Sequence, residues 1–315
     1  MPSFLDTVNQ SIIIRTEFLS HDKYGLSQTK RELNVHRFIV LLITLSVALT
    51  SAANENKAEV KLVGSMQQGG MLVGKVVPGS QVSLDGVSVM VADDGNFAIG
   101  FDRDAKSHAE LIVMSVNGDM SRQSLAISQR DYKIQRIEGI AKKIMSPNEA
   151  SLKRIRSEAA EVRQARAQLL QRLDFAGEFQ WPLRGPISGV YGSQRVYNGV
   201  PKRPHYGVDV AAPTGTPVST PAPGVVTLAH PDMFYSGGTL IIDHGHGVSS
   251  TLMHLSKVLV DVGDEVVPGD IVAEVGAGGR ATGPHLDWRM NWIKARIDPQ
   301  LLVLPMPPVV LNNND

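Results

Sequence analysis

The sequence predicts an all-β protein: a small N-terminal β-sandwich, one connecting α-helix, and a C-terminal antiparallel β-sheet domain with an open groove. Three observations carry this. Short runs of Val, Ile, Leu and Phe are punctuated by Asp85-Gly86, Asp94-Gly95 and Asn117-Gly118, and Asx-Gly pairs flanked by such runs are the strongest local hairpin signal. A helical apolar period is sustained only over residues 152–173. Beyond residue 176, apolar runs resume between Gly and Pro turns such as Pro223-Gly224 and Pro268-Gly269.

The elements follow in chain order. Phe38–Leu49 is a short apolar run after Lys30, Arg31 and Arg37, with Ser51, Ala52 and Ala53 behind it. A basic flank, a short apolar core and a small-residue exit describe a secretory signal peptide with a long n-region over 1–53. Cleavage is expected before Asn54. The run is too short to span a bilayer core, which takes about 20 residues. Residues 54–138 read as the β-sandwich accessory domain, with strands expected at Met71–Val77, Gln81–Leu84, Asn96–Phe101 and Glu110–Val116.

Residues 139–175 read as a helical linker. Ser146-Pro147-Asn148-Glu149 matches a capping box with proline at the first helical position. Leu152, Ile155, Ala159, Val162, Leu169 and Leu173 form one apolar stripe that Arg166 interrupts. The stripe is expected to pack on one of the two β domains, with the charged faces in solvent. Residues 176–306 form the second β domain, with strands expected at Gly224–Leu228, Gly238–Asp243, Val248–Met253, Lys257–Val262, Asp270–Val275 and His285–Trp292. The stretch 262–275 has the look of a lipoyl-type hairpin but carries no lysine at its turn, so it reads as structural. Residues 307–315 are a tail.

Composition narrows the function. Lys+Arg and Asp+Glu are both 31, so there is no bulk positive field of the kind a general nucleic-acid binder uses. The absence of Cys excludes disulfides, thiolate zinc sites, Fe–S clusters and a Cys nucleophile. No G-x-S-x-G, H-E-x-x-H or P-loop occurs.

Six of the nine histidines lie between 205 and 285. His205 and Asp209 are four apart, a spacing that puts both on one face of a strand or a helix. His285 and Asp287 are two apart and share a face on a strand. His254 stands alone, and alternation points it opposite to Met253 and Leu255. Three β segments can thus bring five polar side chains to one groove. A catalytic zinc takes three N or O ligands and leaves one position open, and a histidine beside it can move the proton. His230, His244 and His246 are weaker candidates; the last two sit in DHGHGV, which reads as an exposed turn. Trp288 and Trp292 read as packing more readily than as groove walls.

The HxxxD at His205–Asp209, the AAPTGTPV that follows, His254 before Leu255-Ser256, and GPHL at 283–286 resemble the M23 peptidases. These are lysostaphin- and LytM-type zinc metallopeptidases that cut the peptide cross-links of bacterial peptidoglycan. The resemblance covers residues 185–305 and implies a LytM-type sheet domain. It implies one Zn2+ per chain on His205 and Asp209, with His254 and His285 as catalytic non-ligand histidines. The family's third ligand is the second His of an HxH; here that position is Asp287, in H-L-D. An Asp oxygen binds zinc at about 2.0–2.2 Å, so Asp287 is the expected third ligand. Two carboxylates would make the ion a weaker Lewis acid. Arg195 and Asn198, just before the HxxxD, are expected to line the substrate cleft.

The implied function is a zinc endopeptidase acting on peptidoglycan peptide stems in the periplasm or cell envelope. Membrane contact is expected only through the signal segment, and no nucleic acid is expected. The alternative is a catalytically weak or inactive LytM-like envelope protein that binds peptidoglycan or activates a partner cell-wall hydrolase.

Overall fold

Alternation and turn chemistry organise much of the described chain into strands. A computed structural model of the protein describes residues 59–138 and 148–306. The expected signal segment, its cleavage point, Ser146, Pro147 and the expected tail lie outside the described residues.

The N-terminal β region contains β1 (Lys61–Gly64), β2 (Met71–Lys75), β3 (Gln81–Leu84), β4 (Val87–Val89), β5 (Asn96–Gly100), β6 (His108–Met114), β7 (Met120–Ala126) and β8 (Ile134–Ile137). Two antiparallel sheets result, ordered β1-β2-β5 and β4-β3-β6-β7. Asp85-Gly86 joins β3 to β4, with both residues at positive φ as a tight hairpin requires. β6 alternates buried Ala109, Leu111 and Val113 with more exposed neighbours, so one face feeds the core.

Helix α1 (Glu149–Arg166) follows. Its N-cap is Asn148, whose side chain accepts a hydrogen bond from the Ser151 amide. The helix ends at Arg166, so Leu169 and Leu173 of the expected stripe lie beyond it. Leu169 and Leu173 are exposed, while the backbone of Leu170 and Arg172 runs against the 244–247 turn. There the His246 amide donates to Leu170 O, and a Cβ on Gly245 would meet Arg172 O. Ala165 and Val162 pack on Leu228, Met233 and Ile241 of the second β region. Glu158 ties the helix down by accepting from the Phe234 amide and from Arg154. Among the described residues no helix is long and apolar enough to cross a membrane.

The second β region comprises β9 (Ile187–Gly189), β10 (Gln194–Tyr197), β11 (Val200–Pro201), β12 (Gly207–Ala211), β13 (Pro217–Ser219), β14 (Gly224–Met233), β15 (Gly237–Asp243), β16 (Val248–Val258), β17 (Glu265–Val266), β18 (Ile271–Val275), β19 (His285–Trp292) and β20 (Ala295–Ile297). Its main sheet is ordered β17-β14-β15-β16-β19-β12-β9, with β18 joining β13 to β16 and β20 flanking β19. The all-β, antiparallel expectation holds. Two details differ. Lys257 and Val258 finish β16 and are not a separate strand, and the lipoyl-like stretch is no hairpin, because β17 pairs with β14 while β18 pairs with β13 and β16. β8 runs parallel to β10, so the segment leaving the N-terminal region supports the β10–β11 hairpin.

One hydrophobic core runs through both β regions. Gly100 of β5 lies where a Cβ would strike Ile297 and Trp292, so the sheets meet closely there. Trp288 is fully buried and meets Trp181 edge-on, while Trp292 is 7% exposed. Both are core residues, and neither flanks the polar face.

Candidate metal centre

β19 is the axis of the site. Leu286, Trp288, Met290 and Trp292 face the core, which sends His285, Asp287, Arg289 and Asn291 to the other face. Register then sets the neighbours in rows. Asp287 lies between Asp209 of β12 and Met253 of β16, and Arg289 lies between Gly207 and Thr251. Asn291 lies opposite Ser249. His205 is on neither a strand nor a helix, the two settings its spacing from Asp209 suits. It precedes β12 in a loop fixed by its amide donating to Ser193 O and its carbonyl accepting from the Gly192 amide.

This places His205 Nε2 3.0 Å from Asp209 Oδ1 and 3.4 Å from Asp287 Oδ2. The candidate ligand atoms of His205, Asp209 and Asp287 all lie within 4.8 Å of one another. A tetrahedral ion with bonds of about 2.0–2.2 Å sets its ligand atoms about 3.4 Å apart. His205 Nε2 and Asp209 Oδ1 are buried and, beyond their mutual 3.0 Å approach, make no well-directed hydrogen bond. Buried polar atoms are normally satisfied, so the donor set fits a divalent cation. Gly189 belongs to the cradle, since a Cβ there would lie 2.1 Å from Asp209 Oδ2.

His254 and His285 stand beside this cluster. Their ring centroids are 4.8 Å apart, and His285 Nε2 is 3.8 Å from Asp209 Oδ1. His254 sits at a β-bulge, where Met253 and His254 together oppose one residue of β15, and its φ is 62°. A bulge re-aims a side chain, which strict alternation does not anticipate. His254 Nδ1–H donates to Gly278 O at 2.8 Å, His285 Nδ1–H to Gly283 O at 2.8 Å, and His205 Nδ1–H to Val190 O at 3.2 Å. With the proton held at Nδ1, each ring can offer the Nε2 lone pair to the site.

The electrostatics of His205 and His254 run in opposite directions. Burial disfavours the His205 imidazolium, but Asp209 and Asp287 outweigh it and raise its pKa to about 10. Burial lowers the His254 pKa, against a backbone bond to Gly278 that favours the charged form. Burial also opposes the charge on Asp287, yet Arg289 and His205 hold that carboxyl well below its usual range. The His205 shift makes a prediction for the metal-free protein. A folded pKa of about 10 above the reference 6.5 stabilises fully below pH 6.5, and that stability is lost as pH rises through 10. Thermal unfolding of metal-depleted protein from pH 6 to 10 should show this decline, flattened in His205→Ala. Metal addition near neutral pH should release about one proton per ion, read in weakly buffered solution.

The other candidates lie elsewhere. His244 and His246 are buried rather than exposed in a turn: His244 bonds Pro223 O and Ser250 Oγ, and His246 bonds Met90 O. The turn is covered by segments distant in sequence, so both histidines are structural. His230 accepts from the Asp232 amide. Arg195 lies on β10 and Asn198 follows it, on the hairpin that leads into His205. The residue missed from the sequence is Arg289, which donates to both oxygens of Asp287 through Nε at 3.0 and 3.1 Å and through Nη2 at 2.6 Å. The period-2 pattern that joined His285 to Asp287 reaches Arg289 at the next step.

Fold and cluster together define an antiparallel β-sheet domain with a candidate single-ion metal centre flanked by two further histidines. Residues 203–299 match the family model described as peptidase family M23. Over 108 residues it is 41% identical to the peptidoglycan DD-endopeptidase ShyA of Vibrio cholerae, covering 33% of this chain and 24% of that protein. Over 105 residues it is 38% identical to the DD-carboxypeptidase/endopeptidase Mpg of Neisseria meningitidis, covering 33% and 24%. The matches thus span about a quarter of these curated relatives. A crystal structure of a putative M23 peptidase from Pseudomonas aeruginosa aligns with a TM-score of 0.60 at 29% identity, over 76% of this chain and 95% of that one.

Proposed function

We propose that the chain is a zinc-dependent endopeptidase that hydrolyses peptide cross-links of bacterial peptidoglycan in the periplasm or cell envelope. The observation that carries this is the convergence of His205, Asp209 and Asp287, with Nε2 and Oδ1 buried and 3.0 Å apart, beside the rings of His254 and His285. The name of ShyA supplies the substrate class.

His205, Asp209 and Asp287 are the proposed ligands. Bound there, zinc would supply Lewis acidity toward the peptide carbonyl and lower the pKa of water, less strongly than with a single carboxylate ligand. His254, kept neutral by burial, accepts the proton of the attacking water at Nε2. His285 faces the place where negative charge develops on the carbonyl oxygen and stabilises it there. The carbonyls of Gly278 and Gly283 hold the two rings in place. Arg195 and Asn198 are proposed to line the cleft on the β10–β11 side.

His254→Ala and His285→Ala should therefore keep one metal ion per chain while turnover falls by about 10²–10⁴-fold. Metal analysis beside turnover on cross-linked muropeptides reads both. The function itself is tested with the metal-loaded protein on purified sacculi. Products cut in the peptide with the glycan intact, lost on chelation and restored by zinc, are the expected result. Uncut cross-links in the presence of stoichiometric zinc would overturn it.

A further inference from the structure

Next to the row of Asp209 and Asp287 lies a row of opposite sign. Arg289 occupies it on β19, and Thr251 beside it accepts a hydrogen bond from Nη2 of Arg166, the last residue of α1. Arg296 donates to Asn291 Oδ1 at 3.2 Å, one row further along. Arg203 and Arg296 both lie over the Tyr206 ring, at 5.6 and 5.7 Å.

Arg289 is neutralised by Asp287. Among the described residues, Arg166, Arg203 and Arg296 make no ion pair with a carboxylate, although Arg103, Arg130, Arg154 and Arg172 all do. Nε of Arg166 is buried without a partner. The four guanidiniums act on one another, and the carboxylates that act on them are Asp102, Asp209 and Asp287. With His205 an imidazolium in the metal-free protein, this leaves two positive charges in surplus, and three once a divalent ion takes the place of its proton. Burial, and then Arg296, Arg289 and Arg203, push the Arg166 pKa down to about 9. Crowding of like charge at a half-buried place is costly unless an anion joins it.

We propose that Arg166, Arg203 and Arg296 form a subsite for a carboxylate carried by the peptide substrate. The idea rests on the peptidase reading above and adds to it a charge requirement on the substrate. Rows on one sheet face are about 6.6 Å apart, the length of two extended residues. The carboxylate therefore sits about two to four residues from the bond that is cut. Guanidinium groups suit it because they bind carboxylates in a planar, two-bond arrangement.

The test is equilibrium binding of acetylated tetra-D-alanine, as free acid and as C-terminal amide, to the metal-loaded protein by titration calorimetry. The free acid should bind about 10-fold more tightly, the worth of a charge-assisted hydrogen-bond pair. Arg166→Gln and the exposed Arg203→Gln should each reduce that preference, and Arg166→Lys should recover part of it. Equal binding of acid and amide by wild type overturns the proposal, as does a preference unchanged in both Gln variants. Inorganic phosphate binding as tightly as the free acid would mark a site for simple anions and overturn the peptide assignment. Hydrolysis of sacculi separates the two readings: cleavage without an acid preference sinks this subsite alone, and an acid preference without cleavage sinks the peptidase alone.

Discussion

His205→Ala should remove both the metal and the activity, the largest catalytic effect expected of any single substitution here. The imidazole stands between the two carboxylates, at 3.0 Å from Asp209 and 3.4 Å from Asp287. Without it, Asp209 and Asp287 face each other directly across β12 and β19, two like charges with one nitrogen ligand fewer. Two oxygen ligands alone leave a zinc site incomplete. Metal content should fall from one ion per chain to background, and turnover by at least about 10³-fold, the equivalent of the several kcal/mol a metal supplies to developing charge. His205→Gln keeps much of the shape and should fail in the same way. Retention of stoichiometric zinc by His205→Ala, measured by elemental analysis after dialysis, would sink the ligand assignment.

How far the site could be read from the sequence depends on the kind of geometry involved. β19 was legible to the residue, because alternation from His285 to Trp292 is unbroken and its apolar half is fully buried. The pairing of His285 with Asp287 on one face followed. The position of His254 did not follow from alternation, because a bulge adds a residue that only the paired strand reveals. The spacing of His205 and Asp209 suited a strand or a helix; His205 is a loop residue whose place is set by contacts to Gly192 and Ser193. His244 and His246 looked like exposed turn residues because Gly245 and Gly247 surround them. The segments that bury them, around Met90 and Leu170, lie far away in the chain. Composition and turn pairs carried the architecture; long-range cover and local irregularity were invisible to them.

Asp287→Ala is expected to have the largest effect on stability, and its interpretation turns on Arg289. The Asp287 side chain is 3% exposed and the Arg289 side chain 23%, and three hydrogen bonds join them. Removing one member of such a pair leaves an uncompensated buried charge, at a cost of about 3–5 kcal/mol. Here the abandoned guanidinium also lies among Arg166 and Arg296. A loss of about 10 °C in melting temperature is the matching expectation for a chain of this size. Loss of metal by Asp287→Ala alone would therefore be ambiguous, since misfolding produces it too. The double variant Asp287→Ala/Arg289→Met resolves this, because replacing both partners of a buried pair with apolar groups is often nearly neutral. It should melt close to wild type in the metal-free state and still fail to hold zinc. Should it fold and bind one zinc ion with wild-type affinity, Asp287 is no ligand and serves only to anchor Arg289. Asp287→His in the Arg289→Met background offers the complementary gain: a third ligand that needs no guanidinium to balance it should restore stoichiometric zinc.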